Sequence, residues 1–219
     1  MMDYVDRVAN HVKSLMSSGR LRPEPPEITS HMGATITDSV FQAGMQYSTV
    51  KDWVSWVRSQ DEGKTASGFL RLLNKNPRSY YGKRYNRDMA WGRKADLVKE
   101  VTSTFVQDGV ETEYDLRTWL ETAENANRLG QLRGIGRKTI NYFRILSGDP
   151  NAVAIDIRLR SFLRRILGRG IADREAERIL VQTAERLGLL PASLDHGIWR
   201  YMEGENSGNR RVGSRKRKG

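Results

Sequence analysis

Two side chains in this sequence have types and positions suited to chemistry on a substrate. They are Lys138, in "RGIGRKTINYF", and Asp156, in "AVAIDIRLRSFL", 18 residues further along the chain. Lys138 falls in the first turn of a predicted helix, where the helix dipole disfavours a cation and so favours the free, nucleophilic amine. Asp156 follows an apolar run and precedes apolar residues at helical spacing, which predicts a helix N-cap. Two simpler interpretations stay open, in which Lys138 only contacts a phosphate and Asp156 only caps its helix.

The segment before Lys138 predicts the element that positions it. Two helical stretches flank a short turn in which Gly134 and Gly136 let the backbone bend sharply and approach another molecule closely. Ile135, between the glycines, can point inward and tie the two helices together. The second helix then begins with N–H groups suited to a phosphate oxygen. The pattern predicts a helix-hairpin-helix, a sequence-independent clamp on a nucleic-acid backbone, and an ordinary αα-corner is the alternative.

The hairpin, its lysine and the aspartate that caps the next helix together resemble the helix-hairpin-helix superfamily of DNA glycosylases. The endonuclease III branch and its bifunctional relatives are the most similar. The likeness is strongest over residues 125–165, extends weakly back through "WGRKADLVKEV" and "DSVFQAGMQYSTV", and reaches forward to "LDHGIWRYM". The resemblance implies an all-α, two-lobed helix-hairpin-helix DNA glycosylase fold with the active site in the cleft between the lobes.

The resemblance also implies a base-excision-repair enzyme that flips out and removes a modified or mismatched base from double-stranded DNA. Asp156 would stabilise the sugar cation that develops as the base leaves. Lys138 would attack C1′ and form a Schiff base, which adds β-elimination at an abasic site, or AP lyase activity. The alternative is a non-catalytic DNA-binding module that has kept the hairpin. The implied DNA-binding residues are Arg133, Gly134, Ile135, Gly136, Arg137 and Thr139.

The chain departs from the endonuclease III pattern at two places. Those proteins follow this core with four cysteines that hold an iron–sulfur cluster, and this chain has no cysteine. We therefore expect no cluster and no other cofactor, apart from a monovalent cation that the hairpin could hold. The family's segment that fills the gap left by the flipped base corresponds to "VFQAGMQYS", where Gln42, Gln46 and Tyr47 are the candidates for this wedge or for the base pocket. The sequence does not determine which of these three residues has that role or which base is excised.

The charge of the chain favours a polyanionic partner. The formal net charge is +11, and the last segment, residues 207–219, holds six basic and no acidic residues. Solvated lysine and arginine side chains without a partner are the alternative. No apolar run could span a bilayer and the N-terminus does not have the pattern of a signal peptide, so we expect a non-secreted protein without a membrane partner. It would be a monomer that acts on the nucleoid in a prokaryotic cytoplasm or in a eukaryotic nucleus.

The spacing of the apolar residues is helical along nearly the whole chain, which predicts an all-α fold. Residues 36–147 are predicted to form a six-helix-type lobe that ends in the hairpin, and residues 1–35 with 148–206 to form a second helical lobe. The basic segment 207–219 is predicted to be a disordered tail. Thr37 or Asp38 is predicted to cap a helix that runs through "VFQAGMQYS".

Overall fold

A computed structural model describes residues 2–42, 45, 47–75 and 90–215, without the side chains of residues 2, 47, 90–92 and 206–215. Within these residues the chain forms α-helices and a single 3-10 turn, and no β-strand is present. This confirms the all-α prediction for the described part of the chain. None of the described helices is long and apolar enough to cross a membrane.

The chain divides into two compact units, Glu27–Asp149, here called the central unit, and Met1–Pro26 with Pro150–Gly219, here called the terminal unit. The helices of the central unit are α2 (Met32–Phe41), α3 (Tyr47–Arg58), α4 (Ala66–Lys75), α5 (Ala90–Gln107), α6 (Glu113–Glu121), α7 (Ala123–Gln131) and α8 (Arg137–Leu146), with the 3-10 turn at Asp61–Lys64. The helices of the terminal unit are α1 (Met2–Ser17), α9 (Ile157–Leu167), α10 (Asp173–Leu187) and α11 (Pro191–Arg215).

Each unit has its own hydrophobic core. In the central unit, Phe105 of α5 packs edge-to-face against Trp119 of α6 and Phe143 of α8, with ring centres 5.4 and 5.6 Å apart. Aromatic pairs in this geometry contribute stability beyond the area that they bury. In the terminal unit, Phe162 of α9 and Val8 of α1 are almost fully buried in the hydrophobic core of that unit. The core of the central unit therefore holds α8, the helix that carries Lys138, against α5 and α6.

A buried carboxylate binds the first residues of the central unit to α6. Glu113, at the start of α6, accepts hydrogen bonds from the backbone N–H of His31 (2.8 Å), the hydroxyl of Thr35 (2.8 Å) and the hydroxyl of Thr29 (3.3 Å). Residues 29–35 are thereby tied to α6. The structure places the unit boundaries at 26/27 and 149/150, whereas the spacing in the sequence predicts them at 35/36 and 147/148. The difference at the first boundary follows from this contact between residues far apart in the sequence.

Helix α2 begins earlier than the sequence predicts. His31 is its N-cap, with Nδ1 accepting the N–H of Ala34 at 3.2 Å while Nε2–H donates to the carbonyl of Gln60 at 3.0 Å. Thr37 and Asp38 lie inside the helix, so the prediction that one of them caps it is wrong. The helix ends at Phe41 instead of running through residues 40–48. A histidine fixed in the correct tautomer replaces the usual Ser, Thr, Asp or Asn cap, which spacing alone does not reveal.

The last helix extends further than the sequence predicts. Helix α11 continues to Arg215, so its backbone is helical over part of the segment 207–219 for which the sequence analysis predicts a disordered tail. The physical reason is that once a helix is anchored by packed residues such as Ile198 and Met202, each added residue gains one hydrogen bond at a low cost in entropy.

Candidate active site

The turn predicted from the glycine spacing is present between α7 and α8. The N–H of Ile135 donates to the carbonyl of Leu132 at 2.9 Å, which closes the turn, and Ile135 is buried with 4% of its surface exposed. Gly134 has a φ of +110°, a conformation that L side chains rarely adopt, and a Cβ at this position would lie 3.0 Å from Leu97 Cδ2. Gly136 has an extended backbone and open space where its Cβ would be. The first glycine is therefore required by the turn, while the second leaves an open surface.

The side chains of the hairpin divide into an exposed and a buried group. Arg133 and Arg137 are exposed, as are both glycines. Helix α8 has Gly136 as its N-cap, and Gly136 has no side chain that could accept a hydrogen bond from the first turn. Thr139 is only 3% exposed, because its position in the first turn faces the core of the unit. Its side chain therefore lies away from the surface where the sequence analysis places a DNA contact, and the side chain of Ile135 is buried in the same way.

Lys138 lies next to an aromatic ring that connects it to α2. Its Nζ is 5.3 Å from the centre of the Tyr142 ring, one turn further along α8, within the range of a cation–π contact. The hydroxyl of Tyr142 donates to Oδ2 of Asp38 at 3.2 Å and accepts from Nε2 of Gln42 at 3.3 Å. The structure thus brings Lys138 together with Gln42, one of the three candidates for filling the base gap. Gln46 and the side chain of Tyr47 lie outside the described residues.

A second lysine reaches the same place from α5. Nζ of Lys94 donates to the carbonyl of Val40 at 2.7 Å, near the end of α2. Burial, and then the positive charge of Lys138, lower the pKa of Lys94 to about 8. We call Asp38, Gln42, Lys94, Lys138 and Tyr142 the lysine cluster.

The pKa of the carboxyl group in the cluster, Asp38, is raised instead of lowered. Burial raises the pKa of Asp38, and it outweighs the hydrogen bonds from Gln42 and Tyr142 and the charges of Lys138 and Arg58, all of which lower it. A partly buried amine that loses its proton readily and a carboxyl that holds one more readily lie in the same cluster. Groups with pKa values displaced in this way are typical of sites that transfer protons or form covalent intermediates.

Sequence reasoning missed three members of the lysine cluster as site residues: Asp38, Lys94 and Tyr142. Tyr142 is one turn after Lys138 on α8, and Asp38 is one turn before Gln42, so a search for polar side chains at a spacing of four residues would have found both. No spacing in the sequence indicates Lys94. Its proximity to the others depends on how α2 packs against both α5 and α8.

Asp156 lies in the terminal unit and is the N-cap of α9, as the sequence predicts. Its Oδ1 accepts the N–H groups of Arg158 (2.8 Å) and Leu159 (2.9 Å). Its Oδ2 is 3.9 Å from Nη1 of Arg158, and the side chain is 15% exposed. The Arg158 guanidinium lies over the ring of Trp199 at 4.6 Å and 3.5 Å from a Glu203 carboxylate oxygen. One carboxylate oxygen therefore caps the helix, while the other has, among the described residues, only the distant ion pair with Arg158.

The described residues contain no group of three or more His, Cys, Asp or Glu side chains that could hold a metal ion, and the whole sequence has no cysteine. A family model described as a domain of unknown function, DUF8548, matches residues 6–203. No curated protein and no solved structure matches the chain. The family match spans both units, including the hairpin, Lys138 and Asp156.

Proposed function

The chain belongs to the DUF8548 family, and we propose that it is a base-excision-repair DNA glycosylase with AP lyase activity. Its substrate is double-stranded DNA that contains a damaged, modified or mismatched base or an abasic site. The observation that carries the proposal is the environment of Lys138. This amine lies in the first turn of the helix that follows the hairpin, 5.3 Å from the centre of the Tyr142 ring, whose hydroxyl donates to Asp38.

The proposed reaction starts with the neutral amine of Lys138. The amine attacks C1′ of a flipped nucleotide, the bond between C1′ and the base breaks, and the base leaves with the bonding electrons and takes up a proton. The carboxylate of Asp156 stabilises the positive charge that develops on the sugar. The bound nitrogen then loses a proton and the C1′–O4′ bond breaks, with O4′ taking up a proton, so that a protonated imine forms between Lys138 and C1′. This imine acidifies C2′, and loss of a C2′ proton expels the 3′ phosphate by β-elimination. The position of Lys138 supports this role, because the dipole of α8 disfavours a cation in its first turn.

The hairpin supports a second part of the proposal, the grip on the DNA backbone. Arg133 and Arg137 are exposed on either side of an open glycine surface. Arginine and backbone N–H groups at such a turn suit phosphate oxygens, which fix position without reading sequence. The net charge of +11 adds a long-range attraction to DNA. The protein would act as a monomer wherever the cell keeps its DNA, on the nucleoid or in the nucleus.

Borohydride trapping tests the proposal. The wild-type protein is incubated with a duplex that contains an abasic site, the imine is reduced with borohydride, and the cross-linked peptide is identified by mass spectrometry. We expect the cross-link at Lys138. Lys138→Gln should abolish trapping and strand nicking, although slow release of a base by water can persist because Asp156 remains.

Two matched variants test whether Lys138 is a nucleophile or only contacts a phosphate. Arg137→Gln removes the neighbouring positive charge, so it should weaken duplex binding, yet trapping at saturating duplex should remain. Lys99→Gln removes an exposed amine from α5 and should change nothing. Trapping that persists in Lys138→Gln would place the nucleophile elsewhere. If the wild type neither traps nor releases a base from any duplex in a broad lesion panel, the non-catalytic DNA-binding module replaces this proposal.

A further inference from the structure

A cavity of about 610 Å³ in the terminal unit is lined by residues that the proposed reaction does not use. This volume is within the roughly 300–1,000 Å³ that is typical of small-molecule sites in proteins. One wall is a face of α11, and the other is the chain segment that follows α1. The lining residues include three arginines and one glutamate, so their formal net charge is +2. The cavity therefore suits an anionic ligand of small-molecule size.

The wall on α11 follows from the spacing of its residues in the sequence. Five lining residues occupy positions i, i+3, i+4, i+7 and i+8, which lie on one face of a helix: Gly197, Arg200, Tyr201, Gly204 and Glu205. Close packing explains Gly197, since a Cβ there would lie 2.9 Å from the carbonyl oxygen of Arg22. It does not explain Gly204, because a Cβ there would have nothing within 4 Å. A glycine inside a helix is destabilising, and this one leaves part of the cavity wall without a side chain.

The opposite wall is joined to α11 by an ion pair and anchored in the core by a leucine. The carboxylate of Glu24 accepts a hydrogen bond from Nη1 of Arg200 at 2.8 Å. Leu21 is only 2% exposed, whereas its two neighbours, Arg20 and Arg22, are exposed and line the cavity. The buried leucine therefore fixes the backbone between two arginines that both lie at the cavity.

These two arginines have N–H donors that could bind an anion. Nη2 of Arg20 donates to Oε1 of Glu205 at 2.7 Å and to the hydroxyl of Tyr201 at 3.1 Å, and the guanidinium lies 5.4 Å from the centre of the Tyr201 ring. A guanidinium carries five N–H donors, so these contacts orient Arg20 and leave other donors for a ligand. The side chain of Arg22 has no hydrogen bond or ion pair with the described residues. Arginine donors in this arrangement suit the oxygen atoms of a phosphate group.

We propose that this cavity binds the phosphate monoester group of a nucleotide, either a free nucleoside monophosphate or the 5′-phosphate end of a nucleic-acid strand. A phosphate monoester carries a charge of about −1.5 to −2 at neutral pH, which matches the lining better than the charge of about −1 on a phosphate within a strand. The guanidinium of Arg20 and the ring of Tyr201 supply planar surfaces of the kind on which bases pack. The inference goes beyond the proposed function, because no lining residue takes part in the proposed reaction.

Isothermal titration calorimetry of the full chain at low ionic strength tests the site. The probes are thymidine 5′-monophosphate, thymidine and inorganic phosphate. We expect saturable binding of the monophosphate, weaker binding of inorganic phosphate and no binding of thymidine. A short single-stranded oligonucleotide with a 5′-phosphate is then compared with the same oligonucleotide with a 5′-hydroxyl. Tighter binding of the phosphorylated strand would identify a strand end as the ligand, and binding of the free monophosphate alone would identify a free nucleotide.

Two variants test whether the ligand occupies this cavity. Gly204→Leu places a side chain in the cavity, changes no charge and favours the helix, so binding should be lost without a lower melting temperature. Arg22→Gln removes a cationic donor and should weaken binding of the monophosphate about tenfold or more. Arg178→Gln is the control, because it removes the same charge from an exposed position of α10 that does not line the cavity. The control should bind the monophosphate as the wild type does.

Wild-type affinity for the monophosphate in both Gly204→Leu and Arg22→Gln would overturn the inference, as would an equal loss in Arg178→Gln. A wild type that binds no phosphate monoester, or that binds thymidine or inorganic phosphate as tightly as the monophosphate, would overturn it as well. Borohydride trapping at Lys138 tests the proposed function separately, since it uses none of the lining residues.

Discussion

Replacing Asp156 with asparagine separates its two roles, the helix cap and the proposed stabilisation of the sugar cation. The cap uses Oδ1, which accepts two backbone N–H groups at 2.8 and 2.9 Å. Asparagine keeps a carbonyl oxygen at the same position, so Asp156→Asn retains both hydrogen bonds and loses only the negative charge. Asp156→Ala loses the cap as well.

The expected magnitudes differ between stability and rate. Loss of the favourable charge at the N-terminus of α9 should lower the free energy of unfolding by only about 0.3–1 kcal/mol. Loss of the cap in Asp156→Ala should add about 1 kcal/mol to that cost. By contrast, loss of a preorganised charge at a developing cation should slow base release on the order of a hundredfold or more. A hundredfold change corresponds to about 2.7 kcal/mol in the activation free energy.

Single-turnover base release from a duplex that the wild type processes measures the rate, and denaturant unfolding measures the stability. Asp173→Asn is the control, because it removes a negative charge from the first turn of α10 in the same unit, where Asp173 pairs with the exposed Arg160 at 2.7 Å. The control should release the base at the wild-type rate. A wild-type rate in Asp156→Asn would refute the reasoning and leave Asp156 as a helix cap.

The hairpin glycines and the basic segment give two further predictions. Gly134→Ala should destabilise the protein by about 1–3 kcal/mol because of its φ of +110° and the proximity of Leu97. Gly136→Ala should cost less than about 1 kcal/mol in stability but weaken duplex binding. Thermal unfolding measures both changes in stability, and equal decreases would contradict this prediction. Deletion of residues 207–219, with six basic residues, should reduce the slope of log affinity against log salt by about 0.9 for each phosphate that the segment neutralises and leave lesion preference intact. A slope that matches the full chain would show that the segment does not bind DNA.

The parts of the structure that local sequence determines were predictable. The turn follows from the two glycines, the burial of Ile135 from its place between them, and the N-cap of α9 from a single aspartate before helical spacing. In each case the residues that decide the structure lie within a few positions of one another, so the pattern is complete in the sequence.

The parts that depend on distant contacts were not predictable. The boundary of the central unit depends on Glu113, whose carboxylate binds residues about 80 positions earlier in the chain. The start of α2 depends on a histidine whose tautomer is fixed by the carbonyl of Gln60. Lys94 and Lys138 come together only because α5 and α8 both pack against α2. No pattern within a single helix carries that information.

The lysine cluster also bears on the choice between an enzyme and a binding module. A module that only grips phosphates gains most from lysines that are exposed, fully charged and well separated, because each then attracts a phosphate without repelling a neighbour. Lys94 has the opposite environment, since it is partly buried, hydrogen-bonded inward to Val40 and repelled by Lys138. This arrangement lowers the cost of a neutral amine at the expense of phosphate attraction. A binding module would therefore have to hold phosphates with the exposed Arg133 and Arg137 instead of Lys94, and borohydride trapping at Lys138 decides between such a module and the proposed lyase.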